Sequence, residues 1–266
     1  MGQSYSNIKD LYYEFNEINK DFNVEPSGFI FYCSDLILKY FNYGNTSGQL
    51  KCNDYLETAS YVLIYLLEKL KKYNLEDDKL AEYAILWLRY KLNQSLGHNK
   101  TKLIDFYTNH IENNKHYNKK INGDGSPTYK EIIDKKKDLM NIKEMTEFSY
   151  PFKLLLLLYN KNNSKSGNCI HSDDAKNFAK EFEKLIQISN KIESSSYNKL
   201  LYRLSDDYNN LKNKCTNFPP LPKTKTPLTT LIPGLSTFSV IPVFLGIAYK
   251  TILKEKIKKS KEENET

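Results

Sequence analysis

The stretch EDDKLAEYAILWLRYKLNQSL, residues 76–96, predicts a long helix that contributes to a protein core. Its acidic opening, Glu76-Asp77-Asp78, suits the positive end of a helix dipole. Apolar side chains then recur at helical spacing and form a wide core-facing stripe. The stripe consists of Leu80, Tyr83, Ala84, Trp87 and Leu88.

The segments on both sides of this stretch have the same helical periodicity, and none shows the alternation typical of a β-strand. Polar loops are expected at residues 44–51, 114–127 and 161–168. We therefore predict an all-α, multi-helix bundle over residues 1–215, without strands and without an internal repeat. The other predicted helices cover residues 7–22, 29–43, 53–73, 103–113, 128–141, 142–160, 173–189 and 195–213.

The composition excludes two classes of protein. Hydrophobic residues make up 40% of the 266-residue chain and aromatic residues 13%, so the chain can bury a core and is not disordered throughout. The formal net charge is +7, yet Arg89 and Arg203 are the only arginines. Proteins that bind nucleic acid use arginine for bidentate contacts with bases and phosphates, so we expect no nucleic-acid partner.

The C-terminal part of the chain predicts a membrane anchor. Residues 216–227, TNFPPLPKTKTP, are interpreted as a semi-extended, Pro-rich spacer that is too polar to pack. The stretch from Leu228 to Tyr249 carries no charge and is long enough, at about 1.5 Å per residue, to cross a lipid bilayer as one transmembrane helix. The alternative is a buried core helix, which Pro233 and Pro242 disfavour.

Positive charge beyond the span predicts its orientation. The positive-inside rule places the basic tail, residues 250–266, in the cytosol and residues 1–227 across the membrane. A lone span near the C-terminus, with no signal peptide in the first thirty residues, also fits a tail-anchored protein of the opposite orientation. The juxtamembrane basic residues are Lys250, Lys254, Lys256, Lys258, Lys259 and Lys261.

The four cysteines bear on the choice between the two membrane orientations. Cys169 and Cys215 flank a predicted helical hairpin, whose antiparallel geometry brings both to one end and favours a disulfide. Cys33 and Cys52 flank a second helix–loop unit and are the other expected pair. Four free thiols in a cytosolic domain remain the alternative, but the even count favours an oxidising compartment and agrees with a cytosolic tail.

The sequence contains no catalytic, cofactor-binding or metal-binding motif. Asp206 and Asp207 are adjacent, so their side chains diverge on a helix and are interpreted as a solvated face. The run Lys135-Lys136-Lys137 is interpreted in the same way. We expect no enzymatic activity, no cofactor and no small-molecule substrate. The histidines, which show no zinc-ligand spacing with the cysteines, are His98, His110, His116 and His171.

The C-terminal third resembles the PIR family of Plasmodium, in particular its rodent-parasite CIR/YIR/BIR branch. The resemblance rests on SYNKLLYRLSDDYNNLKNKC (residues 196–215), the spacer, and LIPGLSTFSVIPVFLGIAYK (residues 231–250). Two departures are the absence of a further cysteine near the N-terminus and a long, apolar segment between Cys33 and Cys52. Three upstream segments also match: YAILWLRYKLN (83–93), KDLMNIK (137–143) and FKLLLLLYN (152–160).

This resemblance implies a variant antigen of a multigene family, helical outside the membrane and exported toward the infected red cell. It implies roles in immune evasion or adhesion, with host cell-surface or immune receptors as partners besides the lipid bilayer. It supplies no catalytic residues, and the chain lacks an R-x-L-x-E/Q/D export motif. An intracellular, membrane-anchored scaffold of a vacuolar or host-cell compartment is the alternative function.

Overall fold

The computed structural model describes residues 5–25, 27–28, 31–35, 37, 54–162 and 169–223. The chain divides after Thr224, so all of these residues belong to one compact unit. The described part is mainly α-helical, as the sequence predicts. Its α-helices are α1 (Tyr5–Asp21), α2 (Tyr55–Leu70), α3 (Asp77–Gln94), α4 (Leu103–His110), α5 (Tyr129–Asp134), α6 (Lys137–Met140), α7 (Ser149–Lys161), α8 (Ser172–Ile192) and α9 (Ser195–Lys212). Three 3₁₀ turns cover Lys71–Tyr73, Lys115–Asn118 and Lys143–Phe148.

Helix α3 lies at the centre of the unit. Every residue from Leu80 to Leu92 is buried, although only part of each turn is apolar. The helix packs against α2, α5, α7 and the 3₁₀ turn Lys143–Phe148. Because neighbours cover this buried stretch on all sides, its charged residues, Glu82, Arg89 and Lys91, must find partners inside the protein.

A small β-sheet corrects the expectation that no strand is present. Strand β1 (Phe22–Val24) pairs antiparallel with β2 (Phe31–Cys33), and Phe22 lies opposite Cys33. The second strand occupies part of the helix predicted over residues 29–43. Each strand has three residues, which is too short for alternation to appear in the sequence. The sheet forms because Phe22 is fully buried and its ring packs against Tyr55 and Trp87.

Two predicted helices are divided in the structure. The helix expected over residues 128–141 becomes α5 and α6, because the backbone of Lys136 leaves the helical conformation and its side chain turns inward. The helix expected over residues 142–160 begins as the 3₁₀ turn Lys143–Phe148 and continues as α7. Pro151 lies in the first turn of α7, where the lack of a backbone N–H costs no hydrogen bond.

The first part of the Pro-rich segment is packed, which corrects its interpretation as a spacer too polar to pack. Phe218 is buried, and its ring stacks on that of Tyr208 with centroids 6.3 Å apart. The Tyr208 hydroxyl donates a 2.8 Å hydrogen bond to the Pro219 carbonyl, and Leu221 packs against the core. Residues 216–223 therefore belong to the compact unit, because two apolar side chains anchor an otherwise polar segment.

Candidate functional site

The helical hairpin α8–α9 is closed by a disulfide. Cys169 precedes α8 and Cys215 follows α9, and their Cα atoms are 5.2 Å apart. This is the pairing that the hairpin geometry favoured. The side chain of Asn217 donates to the Cys169 carbonyl and accepts from the Cys169 amide, both at 2.9 Å. The disulfide and the side-chain amide of Asn217 together hold the segment after α9 against the start of the hairpin.

The remaining predicted site residues are mostly outside the described part of the chain. Cys33 ends β2 and is disulfide-bonded, but Cys52 lies outside the described residues, so the 33–52 pairing stays a prediction. The span ends, Leu228 and Tyr249, and the six juxtamembrane lysines also lie outside them. Among the helices of the described part, none is both long enough and apolar enough to cross a membrane.

Asp207 lies at the centre of a buried polar cluster. Its carboxylate accepts hydrogen bonds from the hydroxyls of Tyr12 at 2.8 Å and Tyr83 at 2.9 Å. The Tyr159 hydroxyl donates a 2.6 Å hydrogen bond to the backbone carbonyl of Asp207. Burial raises the pKa of Asp207 to about 7, although both tyrosines and the charge of Arg203 oppose that shift. The cluster connects α1, α3, α7 and α9 without reaching the surface.

The solvated-face interpretation is therefore wrong for Asp207. Helical spacing from Leu204 and Leu211 places it on the apolar face of α9, and this signal identifies it as a core residue. The same interpretation is wrong for Lys136, whose side chain is 4% exposed. Lys136 instead bonds to Asp78 at 2.9 Å.

A second buried cluster surrounds Glu82 of α3. Its carboxylate, 2% exposed, pairs with Lys136 at 3.1 Å and with Arg203 at 3.3 Å. Burial opposes the charge on Lys136, but the hydrogen bond that it donates to Asp78 and the charge of Glu82 raise its pKa above the ordinary value. These ion pairs tie α3 to α9 and to the break between α5 and α6. Because the Glu82 and Lys136 side chains at its centre are buried, the role of this cluster is structural.

Lys91 is a buried amine at the other end of α3. Its Nζ donates a 2.6 Å hydrogen bond to the Phe22 carbonyl and lies 5.1 Å from the centre of the Phe22 ring. The ring of Trp87 also lies within 6.0 Å. Burial lowers the pKa of Lys91 to about 7. Lys91 thus holds the small sheet against the central helix.

Of the three loops expected on the surface, the one at residues 114–127 is the one that the structure describes most completely. Its base is anchored: the Tyr117 hydroxyl donates to the Ser60 carbonyl at 2.6 Å, and Lys71 Nζ donates to the Ile121 carbonyl at 2.9 Å. A β-bridge between Lys120 and Thr128 closes the loop. The loop is therefore held firmly at its base.

The tip of this loop is exposed from Asn122 to Gly125. Gly123 and Gly125 have φ angles of +82° and +85°, which side chains disfavour, so glycine allows the turn. The Ser126 hydroxyl donates to the Gly123 carbonyl at 2.8 Å. The site that best suits molecular recognition is thus an exposed, turn-stabilised loop on a fixed base. The other expected loops, 44–51 and most of 161–170, lie outside the described residues.

No arrangement in the described residues suits catalysis or metal binding. No group of three or more His, Cys, Asp or Glu side chains in that part of the chain could hold a metal ion. The adjacent pair Asp206 and Asp207 is split, since Asp207 is buried and Asp206 is partly exposed. His110 and His116 lie in different elements, and burial lowers the pKa of both imidazoles.

Comparison with known proteins adds two findings. The family model described as Plasmodium variant antigen protein Cir/Yir/Bir matches residues 3–250. A solved structure, described as a Plasmodium PIR protein ectodomain, is 34% identical and superposes with a TM-score of 0.61. The match covers 84% of this chain and all of that one. No curated protein matches the chain. With a helical core of the same fold and a family match over nearly its full length, the chain belongs to the Cir/Yir/Bir family of Plasmodium variant antigen proteins.

Proposed function

We propose that this chain is a single-pass membrane antigen whose helical domain is displayed on the non-cytosolic side and exported toward the infected red cell. Exposed loops of that domain contact host cell-surface or immune receptors, and sequence change in them evades recognition. The protein acts by binding, without a catalytic step.

The observation that carries this proposal is the contrast between the core and the 114–127 loop. Three buried clusters, centred on Asp207, Glu82 and Lys91, connect helices and a strand that are distant in sequence. The exposed side chains of the loop take no part in these clusters, so they can change without altering the core. Loops on rigid scaffolds commonly carry binding residues and tolerate variation.

Three further features support the location. The uncharged stretch from Leu228 to Tyr249 matches the thickness of a bilayer, and the lysine-rich tail that follows favours the cytosolic side. The Cys169–Cys215 disulfide favours an oxidising compartment for the helical domain. The ectodomain described for the related PIR protein is consistent with this arrangement.

Protease protection on intact infected cells tests the location. One antibody recognises the helical domain and a second recognises the tail, residues 250–266. We expect protease to remove the domain signal and to leave a short protected fragment that retains the tail. Protection of both epitopes would instead support the intracellular membrane-anchored scaffold and remove the basis for adhesion.

Recognition by the loop is tested separately. Five alanine substitutions at exposed positions of the loop should reduce binding to host cells or to immune serum: N118A, K119A, K120A, N122A and D124A. The matched control carries five substitutions on the exposed face of α8: K176A, N177A, E183A, K184A and N190A. Equal loss of binding in both variants, with the fold intact by circular dichroism, would contradict a role for the loop.

A further inference from the structure

We infer that a cavity beside the start of α4 binds a small organic anion with an apolar body. The cavity has a volume of about 540 Å³ and is bounded by the segment 99–104, by residues 140–143, 145 and 146, and by Arg89 of α3. This volume lies within the range of about 300–1,000 Å³ that small-molecule sites occupy. The proposal is independent of the proposed function, since none of the cavity's lining residues belongs to the 114–127 loop.

The charges that line the cavity have one sign. Its charged lining residues are Arg89, Lys100, Lys102 and Lys143, and no lining residue is acidic. Lys143 is 90% exposed and reaches the neighbouring Glu144 at 3.7 Å. Within the described part of the chain, the other three make no ion pair with a carboxylate. A concave surface with several unpaired cations attracts anions.

Arg89 is the buried member of this group, with 4% of its surface exposed. Its Nη1 donates to the Thr101 carbonyl at 2.8 Å and its Nη2 donates to the Asn99 carbonyl at 3.0 Å. Its Nε has no hydrogen-bond partner among the described residues. Since neutral carbonyls leave the guanidinium charge uncompensated, burial lowers the pKa of Arg89. An anion in the cavity would supply the missing charge.

The N-terminus of α4 adds a second source of positive potential. Lys102 occupies the N-cap position, and no side chain caps the first turn. The backbone N–H groups at the start of an uncapped helix carry partial positive charge and bind carboxylates and phosphates well. Because Leu103 and Ile104 also line the cavity, this positive end adjoins the same space as Arg89.

The remaining lining favours a ligand that is more than a simple ion. Leu103, Met140 and Met145 are buried at the cavity wall, and Ile104 and Ile142 pack against the core beside them. Methionine side chains adapt to the shape of an apolar group. A ligand that joins one acidic group to an aromatic or aliphatic body would satisfy both parts of the cavity, whereas inorganic phosphate would use only the charged part.

Isothermal titration of the full chain in lipid nanodiscs tests the inference, with empty nanodiscs as the blank. The probes are 2-naphthoate, the neutral 2-naphthamide and inorganic phosphate. We expect naphthoate to bind at least about tenfold more tightly than either other probe, a difference of roughly 1.4 kcal/mol. Naphthamide binding as tightly as naphthoate would overturn the anion requirement. Phosphate binding as tightly as naphthoate would overturn the apolar requirement, and no binding of naphthoate would overturn the site.

A pair of variants locates the binding. The double substitution K102Q/K143Q removes two exposed charges at the cavity and should weaken naphthoate binding by about tenfold, roughly threefold for each charge. The matched control, K20Q/K176Q, removes two exposed lysines elsewhere, 70% and 65% exposed. Equal weakening in both would show attraction by net charge alone and overturn the site. Both variants keep Arg89, so the fold is not at risk.

Discussion

Asp207 and Lys91 are buried ionisable side chains whose pKa values move in opposite directions. Burial raises the pKa of Asp207 to about 7 and lowers that of Lys91 to about 7. Each group favours its neutral form because the protein interior solvates charge poorly. Their effects on stability therefore have opposite pH dependence.

Replacing Asp207 by Asn should change how stability depends on pH. Between about pH 4 and pH 7 the folded protein binds more protons at Asp207 than the unfolded chain, so this residue makes the wild type less stable as pH rises. Asn lacks this dependence. We expect the free energy of unfolding of D207N minus that of the wild type to increase by about 2 kcal/mol from pH 5 to pH 8. Urea denaturation at each pH measures it, and a constant difference would contradict it.

Replacing Lys91 by Met should have the opposite effect. Between about pH 7 and pH 10.5 the unfolded chain binds more protons at Lys91, so this residue makes the wild type more stable as pH rises. We expect the free energy of unfolding of K91M minus that of the wild type to decrease by about 3 kcal/mol from pH 7 to pH 9.5. The same denaturation series provides the measurement. A difference that stays constant over this range would show that Lys91 is charged in the folded protein.

At the scale of elements, the hairpin α8–α9 differs from the rest of the fold because a covalent bond closes it. Helix α3 is held by neighbours on all sides, whereas α8 contacts mainly α7 and α9. Its amphipathic surface buries Phe178, Phe182 and Leu185 on one face, and the other face is exposed. The disulfide compensates for this one-sided packing by limiting the unfolded chain.

Removal of the disulfide should destabilise the domain. Cys169 and Cys215 are 46 residues apart, for which the chain-entropy model gives a loss of about 4 kcal/mol in the free energy of unfolding. We expect C169S/C215S to unfold at a clearly lower guanidinium concentration than the oxidised wild type. The variant N217A, which keeps the disulfide but loses two hydrogen bonds, should lose only about 1–2 kcal/mol. Equal midpoints for C169S/C215S and the wild type would contradict the prediction.

For the whole molecule, the boundary of the compact unit decides which segment behaves as a spacer. The sequence places that boundary after residue 215, whereas the packing of Phe218 and Leu221 extends the unit to residue 223. A Pro-rich segment thus begins as part of the domain surface. Any spacer between this unit and the uncharged C-terminal stretch therefore starts after residue 223, whereas the composition places its start at residue 216.

Two truncated chains test this boundary. A chain that ends after residue 215 exposes the surface that Phe218 covers and removes the acceptor of the Tyr208 hydroxyl. We expect it to be about 3 kcal/mol less stable than a chain that ends after residue 223, as for other buried phenylalanines that are removed. Thermal unfolding of both chains, with F218A in the longer chain as the control, measures the difference. Equal melting temperatures would place the boundary at residue 215.

The sequence predicts the helical class and most helix positions, because a helix of ten or more residues repeats its apolar spacing often enough to be recognised. It predicts the hairpin α8–α9 and its disulfide for the same reason, since that pairing depends on two adjacent helices. It does not predict β1 and β2, whose three residues contain too little periodicity. The docking of Phe218 is hidden by the polar composition around it.

The sequence predicts the candidate recognition loop at residues 114–127, but it does not predict that the base of the loop is fixed. Tyr117 and Lys71 hold it through backbone carbonyls of other segments, and neither contact leaves a sequence pattern. Likewise, spacing on α9 places Asp207 on an apolar face, but its two tyrosine partners come from α1 and α3.

The sequence by itself thus determined the helical class through local periodicity and the uncharged C-terminal stretch through composition. The resemblance to a family rests on the particular segments that match it. Tertiary structure alone decided which partners the buried charges have, where the cavity beside Arg89 lies and where the compact unit ends. The physical reason is distance along the chain: helix periodicity arises between residues three or four apart, whereas burial and charge pairing join residues separated by up to 195 positions.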